Sequence, residues 1–482
     1  MQQAGTAQPS KSSTGDVGAV PVQRRTVLVL IVVLVLDLLA FTSILPLFPS
    51  LMDYYAATSD EDSFYGLLNA KLRWFRSLIG APDSDRMNAV FFAGLLGSMF
   101  SVLQFVSSPA IGALSDVFGR RPLLIVVTSG SLLANIIWLY AHTFPVFVMF
   151  RVIGGLCKAS VSLATAIAAD LFPVAQRGKG MAIVGICFSF GFLFGPLIGA
   201  MFARHARLSS SSFDGVAANG DVPIDYAHFA APAWFAVALT ALELAIIVCA
   251  LPETLPKEKR RSTLSQITTQ ISDYVNVSSL FSYRAVRDAV APKDRALMQQ
   301  YGLVYFTFLF LYSGLEFTLS FFTHSRFQYD SIQQGRMYFF AGLIMIAVQG
   351  GYVRRISIEK HTACALCGLA AIVPAYVIIG LTHTHALFYV GLALYAFASA
   401  CVVPSITTLV SNMANDGDKG VVLGVLRSQG SLARALGPFT AAVVYWSIGS
   451  TLCYLIGGCL LLIPFNWLRR LNAKLTVKEH GA

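Results

Sequence analysis

Apolar runs of the length needed to cross a bilayer recur twelve times along the chain, near 26–50, 88–110, 122–142, 145–171, 180–202, 231–252, 301–323, 335–351, 363–382, 385–411, 419–446 and 450–468. About 20 such residues, coiled as an α-helix, cover the ~30 Å hydrocarbon core, and within lipid a helix satisfies its own backbone hydrogen bonds. The pattern predicts an all-α integral membrane protein of twelve transmembrane helices. The longest polar stretch between runs, 257–300, opens with "KEKRR" after the sixth run. It divides the chain into six-helix halves, 24–256 and 301–470, joined by a linker at 257–300 and flanked by tails at 1–23 and 471–482.

Composition agrees, because 56% of the 482 residues are hydrophobic and only 12% charged, about half the charged fraction of a soluble globule. Most of the 35 Lys and Arg residues fall in the two tails and the even-numbered loops, so the positive-inside rule places both termini in the cytosol. The net charge of +10 is mostly this excess. No basic face of a soluble nucleic-acid-binding module is visible, so the expected contacts are the lipid bilayer and a small molecule, with no nucleic acid. Residues 1–23, rich in Gly, Ser, Gln and Thr, read as a disordered tail.

All eight cysteines lie in the apolar runs. Cys364 and Cys367 have metal-like spacing but no second ligand pair, so no metal site is expected. In the first outward loop, "LNAKLRWFRSLIG" alternates cationic and apolar residues around Trp74 and Phe75, as a short helix on the membrane surface does. Residues 203–230 read as flexible, and the sequon at Asn276 falls in the cytosolic linker.

Several motifs occur in a fixed order. After the second run comes "GALSDVFGRRP", 112–122, where Gly112 and Gly119 permit tight turning beside Asp116, Arg120 and Arg121. "LDLLAFTSILPLFP" fills 36–49, "RVIGG" 151–155, "GFLFGPLIGA" 191–200, "LPETLP" 251–256 and "GSLARALGP" 430–438. Together they resemble the major facilitator superfamily, drug/proton antiporter type, over residues 24–470. Val117 and Ala200 depart from the usual residues of their motifs. The stretches "GGLCK" and "SGLEFTLSF" are similar to the animal tetracycline-transporter-like branch, to which organic-anion export is ascribed.

The resemblance implies the major facilitator fold, with two six-helix bundles around a cavity that opens alternately to each side, a monomer by default, in the plasma membrane or, as the alternative, an endomembrane. It implies that Asp116, Arg120 and Asp170 form a charge cluster at the cytosolic gate, with Asp116 near the start of the eleventh helix. It also implies that Gly191, Gly195 and Pro196 bend the fifth helix at the interface of the halves, and that Arg434 belongs to a structural motif.

Seven ionisable residues stand inside the predicted spans: Asp37, Arg151, Lys158, Glu243, Glu316, Arg427 and Arg434. Each costs on the order of 3 kcal/mol at mid-bilayer unless paired or put to use. In a continuous fourth helix, Arg151, Gly155, Lys158, Ser162 and Thr165 recur on one face, a polar stripe suited to the wall of a wet cavity. Arg151 reads either as a fixed partner of Asp37 or as a substrate or coupling group. Lys158 and Ser162 read as substrate groups, and Arg427 either as a substrate group or as a lock on Glu316. Asp37 and Glu316 are the proton-coupling candidates of the two halves; Glu243, on a span expected at the periphery, carries less weight.

The functional expectation is a secondary-active, proton-coupled exporter of amphipathic organic anions. Transport of cationic or zwitterionic compounds recognised by Asp37 and Glu316 is the first alternative, and a non-transporting membrane scaffold the second. No P-loop, H-E-x-x-H or G-x-S-x-G pattern occurs, so neither an enzyme nor a cofactor is expected.

Overall fold

A computed structural model describes residues 24–59, 63–79, 85–172, 177–211, 226–257, 276–284, 290–413 and 419–480, which form helices and short connections with no strand among them. Seventeen α-helices follow in chain order. The first half holds α1 Arg24–Thr42, α2 Phe48–Thr58, α3 Phe64–Ile79, α4 Asp85–Phe118, α5 Arg120–Leu139, α6 Phe144–Cys157, α7 Ser160–Leu171, α8 Arg177–Ser211 and α9 Ala227–Ala250. After the short α10, Val277–Phe281, come α11 Pro292–Phe327, α12 Ser331–Gly351, α13 His361–Leu381, α14 His385–Asn412, α15 Lys419–Ile448, α16 Ser450–Leu460 and α17 Leu462–His480.

Among the described residues, ten helical stretches are long and apolar enough to cross a membrane. The predicted eighth and eleventh spans are α12 and α15, of 21 and 30 residues, which at 1.5 Å per residue reach about 31 and 45 Å. Both also take part in the contacts between the halves. Within the first half α1 packs on α8 and α9, and α5 on α6 and α9; in the second, α11 packs on α15 and α13 on α14. The halves meet through α4 against α15 and α8 against α12.

Several boundaries differ from expectation. The first span stops at Thr42 because Pro46 and Pro49 start a fresh helical turn and then α2. The seventh begins early at Pro292, a favoured first helical residue. Helix α17 continues through much of the predicted C-terminal tail, and α8 runs on to Ser211. The expected surface helix in the first outward loop is α3, with Tyr65 packed against Phe92 and Phe144 while Trp74 is exposed. The side chain of Asn276 caps α10 by accepting from Ser278 and Ser279. The tail at 1–23, most of the linker and residues 212–225 of the 203–230 loop lie outside the described residues.

The glycines of the fifth span face α1 and not the other half. Gly191, Gly195 and Gly199 form a stripe against Leu38, Thr42 and Ser43, so the two backbones approach closely, as small residues allow in lipid. Thr42 locks the crossing, its hydroxyl sitting 2.7 Å from Leu38 O and 2.8 Å from Gly191 O. Contact with the second half comes instead from Leu193, Pro196, Leu197 and Ala200, against Gly335 and Gly342 of α12.

Where the halves join follows from chain direction. On α4, which ends near Asp116, the contacts are early: Gly94 against Ala442 and Pro438, and Ser98 Oγ accepting from Phe439 N at 2.7 Å. Nearby, Phe48 meets Phe317 edge-on, and Asp53 reaches His324 Nε2 at 3.0 Å. The halves are thus sealed at the end distal to the 112–122 loop.

The α1–α8 crossing leaves no room for a side chain at position 195. Gly195→Val is expected to destabilise by about 1–3 kcal/mol through overpacking, read as a lower unfolding temperature of the purified protein. Gly185→Ala, where nothing lies within 4 Å of an added Cβ, should not lower it; equal melting of the two variants would show the crossing to be looser than described.

Candidate functional site

The fourth span is not one helix. Helix α6 ends at Cys157, Lys158 turns away at φ −82°, ψ 59°, Ala159 follows at φ −110°, ψ 3°, and α7 resumes at Ser160. A break inside a membrane strands backbone groups, which is tolerated only where other groups satisfy them. Here Gln104 Nε2 donates to Lys158 O at 3.0 Å. Gly155, packed directly on the backbone of Phe100, brings α6 close enough for that bond. The expected continuous stripe is therefore interrupted, and residues after the break point elsewhere. Ser162 is exposed and off the pocket, while Thr165 accepts a hydrogen bond from Arg427 Nη1.

The break delivers the lysine to Asp37. Lys158 Nζ lies 2.5 Å from Asp37 Oδ1, and Ser160 Oγ donates to Asp37 Oδ2 at 2.8 Å. Both side chains are buried, and the ammonium also stands 4.7 Å from the Phe41 ring. The fixed partner of Asp37 is thus Lys158 and not Arg151, because the turn after Cys157 swings position 158 towards α1.

Arg151 is left with aromatic company. Its guanidinium lies over Phe100, Phe48 and Phe150 at 4.2, 5.2 and 5.8 Å, and its Nε has no hydrogen-bond partner. No carboxylate pairs with it among the described residues. Arg151, Lys158 and Asp37 line a partly open pocket with Phe41, Phe100 and Asn135, formed wholly within the first half. A cation over ring faces gains roughly 2 kcal/mol when desolvated, less than full compensation for the water it has lost. The pocket therefore carries an unspent positive charge beside flat apolar walls.

Glu243, which sequence reasoning placed at the periphery, is buried on α9 one turn from Thr240, a residue of the pocket's lining. It is 1% exposed; its Oε1 accepts from Thr128 at 3.3 Å, and its Oε2 has no partner. Asp37 and Lys158 both act on it electrostatically. One turn away Asn135 Nδ2 donates to Thr240 at 2.9 Å. Thr128, Ser131 and Asn135 share one face of the third span, a polar stripe that was a legible sign of a polar partner on the sixth.

In the second half, Glu316 accepts from Tyr395 OH at 2.9 Å, and Tyr395 stacks on Tyr312 with ring centroids 5.0 Å apart. Glu316 forms no ion pair with Arg427 or Arg434, so the expected lock is absent from this state. Arg434 is exposed, and its charge acts on Glu316 and Tyr305. Arg427, half-buried, instead reaches across to Thr165 of the first half.

At the 112–122 loop, Arg120 is the centre of the cluster. Its Nη1 is 2.6 Å from Asp116 and its Nε 3.1 Å from Asp170, with Ser115 Oγ also 2.5 Å from Nη1. Gly119 takes φ 105°, a conformation that costs glycine nothing. The carboxylate of Glu253, from "LPETLP", then accepts from the first amides of α5, Arg120 N at 3.0 Å and Arg121 N at 3.3 Å. An anion at a helix start meets unpaired donors and a favourable dipole. Gly112 has no packing partner within 4 Å of an added Cβ, so close helix approach is not its role in this state. The expected nearness of Asp116 to the start of the eleventh helix involves residues 414–418, outside the described residues.

A family profile described as Major Facilitator Superfamily matches residues 30–438. Among curated proteins, major facilitator superfamily domain-containing protein 10 of Homo sapiens is 41% identical over 455 residues, covering 94% of each chain. Tetracycline resistance protein, class C, of Escherichia coli is 23% identical over 386 residues, covering 78% of this chain and 86% of its own. The crystal structure of the human organic anion transporter MFSD10 (TETRAN) superposes with a TM-score of 0.74 at 40% identity, over 93% of this chain and 100% of that one.

Breaking a buried ion pair by removing one partner costs ~3–5 kcal/mol, whereas removing both leaves no orphaned charge. Asp37→Asn and Lys158→Met should each lower the unfolding temperature of the purified protein. The double variant should lose clearly less than their sum. Strict additivity in thermal melts would mean that the two charges do not depend on each other.

Proposed function

The chain belongs to the major facilitator superfamily, and we propose that it exports amphipathic organic anions from the cytosol by alternating access, with the proton as coupling ion. One observation carries the reading: Arg151 is a buried cation with no carboxylate of its own, in a pocket walled by aromatic rings. A ligand with an acidic group and a flat apolar body supplies the missing counter-ion and covers the rings. The human relative whose solved structure is titled an organic anion transporter, 40% identical, lends support.

In this reading Arg151 takes the anionic group first, and Lys158 becomes available when its pair with Asp37 loosens. Asp37 and Glu316 respond to the changing cations around them, one in each half. With the termini cytosolic, the sealed distal end faces outward. At the cytosolic end the Asp116–Arg120–Asp170 cluster and the Arg427–Thr165 contact between the halves are already formed, so opening that end requires the Arg427–Thr165 contact to part. A cationic substrate is the weaker reading, because Asp37, its best anchor in the first half, is already neutralised by Lys158.

The test is flux of amphipathic organic anions and cations into proteoliposomes under an imposed pH gradient. Uptake of cations alone would refute the anion reading. Arg151→Met separates binding from folding, because it removes a charge without orphaning another. It should melt at the wild-type temperature or above it and lose at least about tenfold in anion transport, the equivalent of ~1.4 kcal/mol. Wild-type flux in a well-folded Arg151→Met protein would take Arg151 out of the site.

A further inference from the structure

We propose that Glu243 of α9 is the residue that carries the transported proton, and that it binds the proton together with the anion, not in exchange for it. The proposal rests on the anion reading above and adds the identity of the proton site and the sign of the coupling. The outward anion gradient, and not an inward proton gradient, is then the driving force for export.

The three buried carboxyl groups stand in different surroundings. Asp37 has both oxygens engaged, one by the Lys158 ammonium and one by the Ser160 hydroxyl. Glu316 keeps a phenol donor from Tyr395 and an exposed arginine within electrostatic reach. Glu243 has one long hydrogen bond from Thr128, a second oxygen with no partner, and 1% exposure.

Helix α9 packs against α1, α5 and α8. The charged groups acting on Glu243 are Asp37 from α1 and Lys158 from the break. Thr128 from α5 contributes only its hydroxyl. The ammonium that acts on both carboxyl groups is held by Asp37.

The sign of the coupling follows from Coulomb's law. An anion seated in the pocket at Arg151 brings negative charge near Glu243 and competes for Lys158, a pocket residue that also acts on Glu243. Both effects favour the neutral form of Glu243. By linkage, protonating Glu243 must strengthen anion binding by the same factor. Proton and anion therefore load together: the proton passes from water to a Glu243 oxygen as a monoanion enters, and the pair adds no net charge to the membrane interior. Exchange would require the opposite, a carboxyl group that loses its proton as an anion arrives.

The test is calorimetric titration of the full-length protein in lipid nanodiscs with naphthalene-2-sulfonate, an amphipathic anion that does not itself titrate near neutral pH. Repeating it in buffers of different ionisation enthalpy counts the protons. In the wild type, binding should tighten by up to about tenfold per unit fall in pH, with proton uptake of up to one per anion. Glu243→Gln, which mimics the neutral carboxyl, should bind as the wild type does at low pH, with no pH dependence and no uptake. Glu243→Asp should keep the uptake and shift its pH range.

Proton release by the wild type overturns the proposed sign, and this arm needs no variant to fold. Uptake preserved in Glu243→Gln removes Glu243 as the proton site while leaving the anion reading intact. No binding at any pH defeats the anion reading, and this proposal with it.

Discussion

The ion pair between Lys158 and Asp37 organises the first half of the molecule. It depends on a fourth span that parts at Lys158 and Ala159, since an unbroken helix would hold the lysine on the same line as Arg151. Breaking a helix in lipid frees a carbonyl and bends the chain; both are absorbed locally, by the Gln104 amide and by the close approach of Gly155 to Phe100. The result is a division between two cations two helical turns apart in sequence. One is neutralised by a carboxylate of the protein, and the other lies among aromatic rings with no carboxylate partner among the described residues.

Around this pair the helices are built for rigidity. The Gly191, Gly195 and Gly199 stripe draws α8 onto α1, the helix that bears Asp37, and Thr42 ties the two with a shared hydroxyl. Helix α9 presses Glu243 against α5 and towards Asp37. The second half lacks an equivalent buried ion pair among its described residues; Glu316 is met by a phenol, and neither Arg427 nor Arg434 pairs with it. The two halves are thus electrostatically unlike, although their helices pack in corresponding order.

The spans were legible because the bilayer requires long apolar runs, and the two least apolar, α12 and α15, remained readable from their place in the series. The 112–122 cluster was half legible: Asp116 and Arg120 are four apart and meet across the turn at Gly119 between α4 and α5, and Asp170 followed from the family likeness. Glu253 was visible within "LPETLP", yet its role as an anion at the start of α5 depends on chain closure that no local pattern records. The break at Lys158 was not legible, because Arg151, Gly155 and Lys158 keep perfect helical spacing up to the residue where the helix stops. The partner of Asp37 was misread for the same reason. Glu243 was undervalued because its weight comes from Thr128 and Asn135 on another span, a relation between helices and not along one.

The carboxylate of Glu253 has a consequence for motion. It comes from the last residues of the first half and grips the start of the third span, while Arg121 of that span donates to Val248 O on the sixth. The third and sixth spans are thereby buckled together at this end, so neither can shift there without drawing the other along.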